Sequence, residues 1–466
     1  MPIGASLTGV KLIRLARLGP VGSSTALLTD RYELTMLDAA LADGTAARQC
    51  LFEVFARTLP HDRRYGVVAG TGRVLELIRD FRFGEPELEW LRANDVVSAP
   101  TLDWLAGYRF GGTISGYREG ELYFPGSPIL TVEASFAEGV ILETLILSVF
   151  NFDSSVASAA ARMVSAAAGR PLAEMGSRRT GERSAVAAAR AAYIAGFAAS
   201  SNLEAGRSWG IPTMGTAAHA FTLLHDTEEA AFRSQVAAMG PGTTLLIDTF
   251  DVDNGADLAV RVAGHGLGSI RLDSGDLPAL VSSVRARLDA LGNAETKITV
   301  TSDLDEYTIA ALAATPVDSY GVGTALVTGS GSVAAGMVYK LVAHQNDSGE
   351  WVSVAKRSAK KTSVGGRKVA VRQFGADGMA VAETLFIDTP VGLKPPADGR
   401  ILGEVFVRDG IIDERFAGAE GVRAARLHHA HVVKELPAQA FRLARGGEPV
   451  IPTRYVTAGS GQTTDD

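Results

Sequence analysis

Short β-forming runs alternate with helical stretches from residue 172 to residue 322, and few architectures accommodate that order. The runs lie at 172–176, 211–215, 243–248, 269–272, 297–301 and 319–322. A helical pattern follows each of the first five, and a glycine-rich loop follows the last. Helices between successive strands act as crossovers, so the strands lie parallel. Six such units favour a closed or nearly closed α/β barrel, irregular and TIM-like, over an open sheet. Function in such folds collects at the C-terminal ends of strands. Every expected strand here ends in polar chemistry: Met175-Gly-Ser-Arg-Arg179, Gly215-Thr216, Asp248-Thr-Phe-Asp251, Arg271-Leu-Asp-Ser-Gly-Asp276, Ser302-Asp303 and Gly321-Val-Gly-Thr324. Turn chemistry by itself does not place six polar endings on one face.

A length of 466 residues exceeds one ordinary core, so two domains or a barrel with additions are expected. A hydrophobic fraction of 46% supports a well-buried globular chain. The net charge of −7 argues against a nucleic-acid partner but leaves room for local basic pockets. Cys50 is the single cysteine, which excludes an intramolecular disulfide and a cysteine-based zinc site. A reducing, cytoplasmic setting fits. Residues 1–24 form a leader whose order the pattern does not set. Charges interrupt its apolar run Leu12-Ile-Arg-Leu-Ala-Arg-Leu18, so it is neither a signal segment nor a membrane span, and no membrane partner is expected.

Before the alternation the pattern is α+β. Asp30 and Glu33 have capping-box spacing, Leu34, Leu37 and Leu41 follow at helical spacing, and Gly44 ends the helix. Tyr32, off that stripe, is either an ordinary packed aromatic or a ring that stacks on a flat ligand. A strand is expected at 52–57, helix over 70–94 and a small antiparallel unit at 111–128. The pattern changes near residue 129, with a long apolar helix over 133–150. After Gly336 a strand at 337–342 precedes a basic segment, 356–372, holding Lys356, Arg357, Lys360, Lys361, Arg367, Lys368 and Arg372. That segment reads as a solvated face or as a phosphate-binding rim.

Arg271 and Asp273 stand two residues apart in a strand and so share a face. The arginine offers a planar fork for a carboxylate. Asp273 suits ribose hydroxyls or hydrated Mg²⁺, which binds through one or two carboxylates plus substrate phosphates. A structural Arg–Asp pair is the alternative. Asp248 and Asp251 add carboxylates at a neighbouring strand end, and the calcium-loop pattern at Asp251–Gly255 fails for want of its glycine and closing glutamate. Gly321, Gly323 and Thr324 bare backbone N–H groups suited to a phosphate. No Gly-x-x-x-x-Gly-Lys-Ser/Thr loop is present, so any nucleotide is held in another way. Thr216 and His219 follow an apolar run on a backbone bared by glycine and alanine, which suits a phosphorylated ligand or a tight turn. His428, His429 and His431 are a candidate metal cluster, with a loop tip as the favoured reading.

Together these stretches resemble the nicotinate phosphoribosyltransferase family. The resemblance rests on Leu28-Thr-Asp-Arg-Tyr-Glu-Leu-Thr-Met36, Glu174-Met-Gly-Ser-Arg-Arg179, Ser201-Asn202, Gly215-Thr-Ala-Ala-His219, Arg271-Leu-Asp-Ser-Gly-Asp276, Gly321-Val-Gly-Thr-Ala325 and the segment from Tyr339-Lys-Leu341. It runs in order from about residue 25 to 435. It implies that nicotinate displaces pyrophosphate from phosphoribosyl pyrophosphate (PRPP), with ATP hydrolysed alongside and Mg²⁺ required. It also implies a barrel-like domain over 129–335, beside an α+β domain built from 25–128 and 336–445. A flexible tail is expected at 446–466, and a homodimer with sites at the interface. Tyr32 would stack on the pyridine ring, Arg271 would face the nicotinate carboxylate, and Thr216 would bond near it. Arg178 or Arg179 would add positive charge or bind phosphates. Asp248 and Asp273 would position ribose and Mg²⁺, Gly323 and Thr324 would hold the 5′-phosphate, and His219 would accept a phosphoryl group from ATP.

Nicotinamide phosphoribosyltransferase shares the architecture. Its relatives carry an acid where this chain has Asn202, and a neutral residue there favours the acid substrate. A non-catalytic nucleotide-binding relative is the other alternative, and the presence of Tyr32, His219, Arg271, Asp273 and Thr324 speaks against it.

Overall fold

The computed structural model describes residues 24–60, 63–356, 363–389, 396–444 and 447–457, and the backbone of 463–465. Residues 1–23, with the leader's apolar run, and Arg357, Lys360 and Lys361 lie outside the described residues.

One 24-residue helix, Glu143–Ala166, organises the chain. Leu145, Ile146, Val149 and Phe150 pack in one core with Leu34, Leu37 and Phe52. Val156, Ala157, Ala160 and Met163 pack in a second core with Ile270, Val300 and Val322. Small residues in that second half let the neighbouring helix Glu182–Ile194, itself alanine-rich, approach closely. Where the cores meet, Asp153 is fully buried against Arg73, and burial pushes its carboxyl up to about 6. Ser154 and Ser158 accept the backbone N–H groups of Ala69 (3.1 Å) and Val67 (2.9 Å), so these two buried donors are satisfied by the helix.

The helix expected over 133–150 is thus displaced. Leu130–Ser135 is a strand with alternating burial. Ser135 Oγ accepts from the Glu138 N–H while the Glu138 carboxylate accepts from the Ser135 N–H, both at 3.3 Å, so the chain turns helical only from residue 136. The box expected at Asp30 and Glu33 does not form. Glu33 is buried and accepts from the Thr144 N–H at 2.8 Å, capping the long helix instead of its own. The stretch 70–94 splits into Thr71–Arg79 and Glu85–Ala93. The two strands within 111–128 pair with other partners. Thr113–Tyr117 joins Leu130–Ser135 and Gly403–Arg408, and Leu122–Tyr123 joins Gly66–Val67.

A seven-stranded antiparallel sheet combines Gln49–Ala56, Leu130–Ser135 and Thr113–Tyr117 with Met337–Gln345, Trp351–Ser353, Gly403–Arg408 and Ile411–Ile412. The parallel sheet has six strands among the described residues. Their spatial order is Ala199–Ser200, Leu172–Glu174, Ser319–Val322, Lys297–Val300, Ser269–Leu272 and Thr244–Leu246. That is chain order read around a ring, but the sheet does not close: no ladder joins its first and last strands. The strand expected at 211–215 reduces to one parallel bridge between Thr213 and Ser200, because Pro212 has no N–H to extend a ladder. The strand at Ala199–Ser200, hidden in the sequence by an alanine-rich run, starts after the helix ends at Ile194.

Where it is described, the basic segment is mixed: Lys356 is exposed, while the later cations are paired with carboxylates. Lys368 is buried against Glu53 at 2.8 Å, Arg367 pairs with Glu133 at 2.8 Å, and fully buried Arg372 pairs with Glu383 at 2.8 Å. Two of the three histidines are likewise committed, and His431 is exposed. His428 Nε2 lies 2.9 Å from Glu121, and buried His429 holds the Gly120 carbonyl through Nδ1 at 2.9 Å. They lie on the helix Gly418–Val432 and not at a loop tip.

Burial pulls the His429 pKa down to about 4, whereas an unfolded histidine takes its proton near 6.5. Between those values the unfolded state binds more protons, so stability present above pH 6.5 is lost as pH falls toward 4. The ceiling on that loss is about 3 kcal/mol at ~1.4 kcal/mol per pH unit. His429→Gln is expected to flatten this part of the melting-temperature profile between pH 4 and 6.5. An unchanged slope overturns the assignment.

Candidate active site

The C-terminal ends of the parallel strands converge on a cleft of about 250 Å³. Met175, Arg178, Arg179, Arg271, Asp273, Thr301, Ser302, Asp303, Gly321, Gly323 and Thr324 line it. Larger hollows exist elsewhere, but this one gathers the strand-end chemistry. Two chain segments touch at its floor because residue 176 is glycine. A Cβ there would stand 2.2 Å from Val327 Cγ1 and 3.2 Å from the Gly323 carbonyl. Buried Glu174 holds the same turn by accepting from the Gly176 N–H and from Ser200 Oγ.

Arg271 enters from Ser269–Leu272 and spans the open seam of the sheet. Its Nη1 donates to Thr216 Oγ1 and, at 3.1 Å, to the Ala217 carbonyl. Nη2 lies 3.9 Å from Asp273, and Nε is buried without a partner. Burial lowers its pKa, opposed by Asp273 and Asp248. The guanidinium thus faces the cleft with donors to spare.

Asp248 is buried at the end of Thr244–Leu246. Its Oδ2 accepts from the Asp273 N–H (2.8 Å) and Ser274 Oγ (2.9 Å), and its Oδ1 has no hydrogen-bond partner. Asp273 accepts from Thr301 Oγ1. His219 opens the helix His219–Leu224 and crosses the same seam. Its Nδ1 meets Thr249 Oγ1 at 3.1 Å, which leaves Nε2 turned to Asp248 (4.0 Å) and Asp273 (3.9 Å).

The structure therefore brings Arg178, Arg179, Arg271, Asp273, Gly321, Gly323 and Thr324 to one cleft, with Thr216, His219 and Asp248 tied directly to it. Asn202 stands one shell back. Its Oδ1 accepts from the Ala205 N–H at 2.9 Å and its Nδ2 donates to Ser177 Oγ at 3.0 Å, steadying the turn that carries Arg178. Tyr32 does not line the cleft. It is 46% exposed on the helix Arg31–Asp43, beside Glu143. Thr249, Thr301, Ser302 and Asp303 were not among the expected site residues. Ser302-Asp303 was visible as a polar strand ending, but nothing in the chain order signals that Ser302 takes φ +132°, a conformation rare outside glycine.

A family model described as nicotinate phosphoribosyltransferase (NAPRTase) N-terminal domain matches residues 27–151. Over 445 residues the chain is 56% identical to nicotinate phosphoribosyltransferase pncB1 of Mycobacterium tuberculosis, covering 93% of this chain and 95% of that protein. The chain belongs to the nicotinate phosphoribosyltransferase family. A Bacillus subtilis nicotinate phosphoribosyltransferase is 37% identical over 360 residues, covering 75% of this chain and 73% of its own. The crystal structure of human nicotinic acid phosphoribosyltransferase superposes with a TM-score of 0.77 at 25% identity, covering 93% of this chain and 98% of that one. The cleft is thus the candidate active site of a nicotinate phosphoribosyltransferase family member.

Gly321 gives a direct check on the cleft's packing. A Cβ there would lie 2.6 Å from Met175 Sδ and 2.7 Å from Thr301 Cγ2. Gly321→Ala is expected to cost about 1–3 kcal/mol in urea unfolding, the range for overpacking. It should also displace Thr301 from Asp273. A variant as stable as the parent overturns the geometry.

Proposed function

We propose that this protein forms nicotinate mononucleotide and pyrophosphate from nicotinate and PRPP, the first step of NAD salvage from nicotinic acid. The observation that carries the reading is Arg271, a part-buried guanidinium lining the cleft with Nε unpartnered and Nη2 making no hydrogen bond, beside Asp273, Asp303 and a glycine-bared turn. A guanidinium with unused donors pairs in two places with a carboxylate, which nicotinate has and nicotinamide lacks.

The roles follow the chemistry. Arg271 and Thr216 hold the nicotinate carboxylate. Gly321, Gly323 and Thr324 receive the 5′-phosphate, and Arg178 and Arg179 balance the diphosphate. As pyrophosphate leaves, the ribose gains oxocarbenium character, and Asp248 and Asp273 stabilise that positive charge. Mg²⁺ fits the same carboxylates. Asp248 Oδ1 is an unpartnered hard oxygen, and no group of three or more His, Cys, Asp or Glu side chains forms a closed metal site among the described residues. Bound with substrate phosphates, the ion would neutralise charge on the departing diphosphate. His219 Nε2 accepts the γ-phosphoryl group of ATP with release of ADP, because Nδ1 is engaged by Thr249, and water later discharges the phosphohistidine as inorganic phosphate. A phosphohistidine there adds about −1.5 to −2 charge beside two carboxylates, by analogy with other phosphorylations, and so couples ATP to PRPP binding and pyrophosphate release.

The working unit is a homodimer with the six parallel strands as a barrel-like domain. Tyr32 reaches the cleft of a second copy and stacks on the pyridine ring there. Exposed Leu203, Leu223, Leu224 and Phe250 rim the catalytic face and supply apolar surface for that contact. A cytoplasmic setting fits the buried, unpaired Cys50.

Turnover of nicotinate with and without ATP is the central experiment, with nicotinamide as the competing substrate. Arg271→Lys is expected to raise KM for nicotinate about 10- to 100-fold, the equivalent of ~1.5–3 kcal/mol for a lost charge-assisted bond. An unchanged KM overturns the assignment. With γ-labelled ATP, acid-labile label should appear on the parent protein and not on His219→Ala. Equal labelling of the two, or none on the parent, removes the phosphohistidine. Leu224→Glu should shift the sedimentation coefficient from dimer to monomer, and a variant that stays dimeric removes that rim from the interface.

A further inference from the structure

A hollow of about 650 Å³ lies at the other end of the parallel strands, away from the cleft. Ser165 and Gly196 line it, and they precede the strands Leu172–Glu174 and Ala199–Ser200 whose far ends carry the active-site turns. Its size suits a small molecule. Ala161, Val164, Ile194, Val433, Leu436 and Phe441 make its wall predominantly apolar.

Two cations interrupt that wall, Arg426 and Lys434, and no Asp or Glu lines it. Arg426 Nη1 donates to the carbonyls of Phe197 (2.6 Å) and Tyr193, and Nη2 donates to Gly196 at 3.2 Å. Its guanidinium carbon sits 4.2 Å from the Tyr193 ring centre. These contacts cap the end of the helix Glu182–Ile194, and they use three of the five N–H donors. The donors left are Nε–H and one on Nη2, the side-on pair that matches a carboxylate, and Arg426 has no acidic partner within 4 Å among the described residues. Burial pulls its pKa down, with only Tyr193 opposing, so the cation is partly dehydrated without a counter-charge. Lys434 is exposed on the rim. His429, also on the wall, is held neutral by burial and does not supply an anion.

We infer that this hollow binds an amphiphilic monocarboxylate, with its aliphatic chain along the apolar wall and its carboxylate on Arg426 and Lys434. Charge complementarity selects the anion, and the absence of any lining acid disfavours an amine. The wall selects an aliphatic chain over a small inorganic anion.

The test uses the full chain and calorimetric titration with decanoate, decanol and decylamine, all below their micellar range. Decanoate should bind saturably at one site per chain, with decanol and decylamine at least ten-fold weaker. Octanoate should bind about ten-fold more weakly than decanoate, for two fewer buried methylenes. Arg426 also caps a helix, so the informative variants are at exposed positions. Lys434→Glu should weaken decanoate at least five-fold with an unchanged melting temperature, and Ala430→Trp at the mouth should abolish binding. No saturable binding, equal binding of decanol, or undiminished binding in both variants overturns the inference.

Discussion

Both halves of the molecule depend on one helix satisfying two cores at once. The helical stretch Phe136–Ala166, most of which is this helix, is apolar and long enough to cross a membrane, yet 67% of its most apolar window is buried inside the fold. Its apolar surface is used up by packing on the antiparallel sheet at one end and on the parallel sheet at the other. Because one rigid rod serves both, the two sheets cannot shift independently. The polar residues along it keep this arrangement unique. Glu33 caps its start, Asp153 takes Arg73, and Ser154 and Ser158 receive backbone donors from 67–69. An apolar contact slides at little cost, whereas each of these bonds is lost on a shift of one residue.

A second set of buried charges ties the active-site turns to that frame. Arg190, on the helix that follows Arg178 and Arg179, is fully buried, pairs with Glu119 at 2.7 Å and lies over Trp209 at 4.6 Å. Glu119 also accepts from the Gly72 N–H at 3.2 Å. A buried pair of this kind is weak evidence for net stability, but removing one partner is costly because the other charge is stranded. Its effect is therefore positional: the helix behind the cationic turn is locked to the antiparallel half. The basic residues near the C-terminus act in the same way. Arg372 joins Glu383 on the neighbouring strand of its own sheet and lies 3.8 Å from Glu121, so a cation that looks solvated in the sequence is a buried tie.

The cleft is lined from the ends of the four inner parallel strands, and the seam where the sheet fails to close lies beside it. Backbone pairing ends at Thr213 on one side and Leu246 on the other. Side chains cross the gap instead: Arg271 to Thr216, and His219 to Thr249. A continuous ladder would consume the backbone groups and bring the strands together. The open seam instead lets side chains from both edges meet next to Asp273, at the wall of the cleft.

Much of this was legible in the chain. The alternation after residue 172 specified parallel strands, and the strand ends at 175–179, 271–276 and 321–324 named most of the cleft, because crossover connections force all those ends to one side. Less was legible before residue 136. Capping spacing at Asp30 and Glu33 misled, since the same carboxylate can cap any helix start that packing brings near it. Thr301 and Ser302 were missed as site residues for a similar reason: a threonine beside Asp273 and a strained serine are properties of neighbouring strands, not of spacing along one. The sequence by itself determined most element types after residue 172, the parallel direction of the strands and the polar face, through local periodicity and the geometry of crossovers. Only the tertiary structure decided that the sheet stays open, that Glu33 caps a helix more than a hundred residues away, and that Tyr32 stands outside its own chain's cleft. Those outcomes depend on which surfaces meet in space, and no local pattern carries that information.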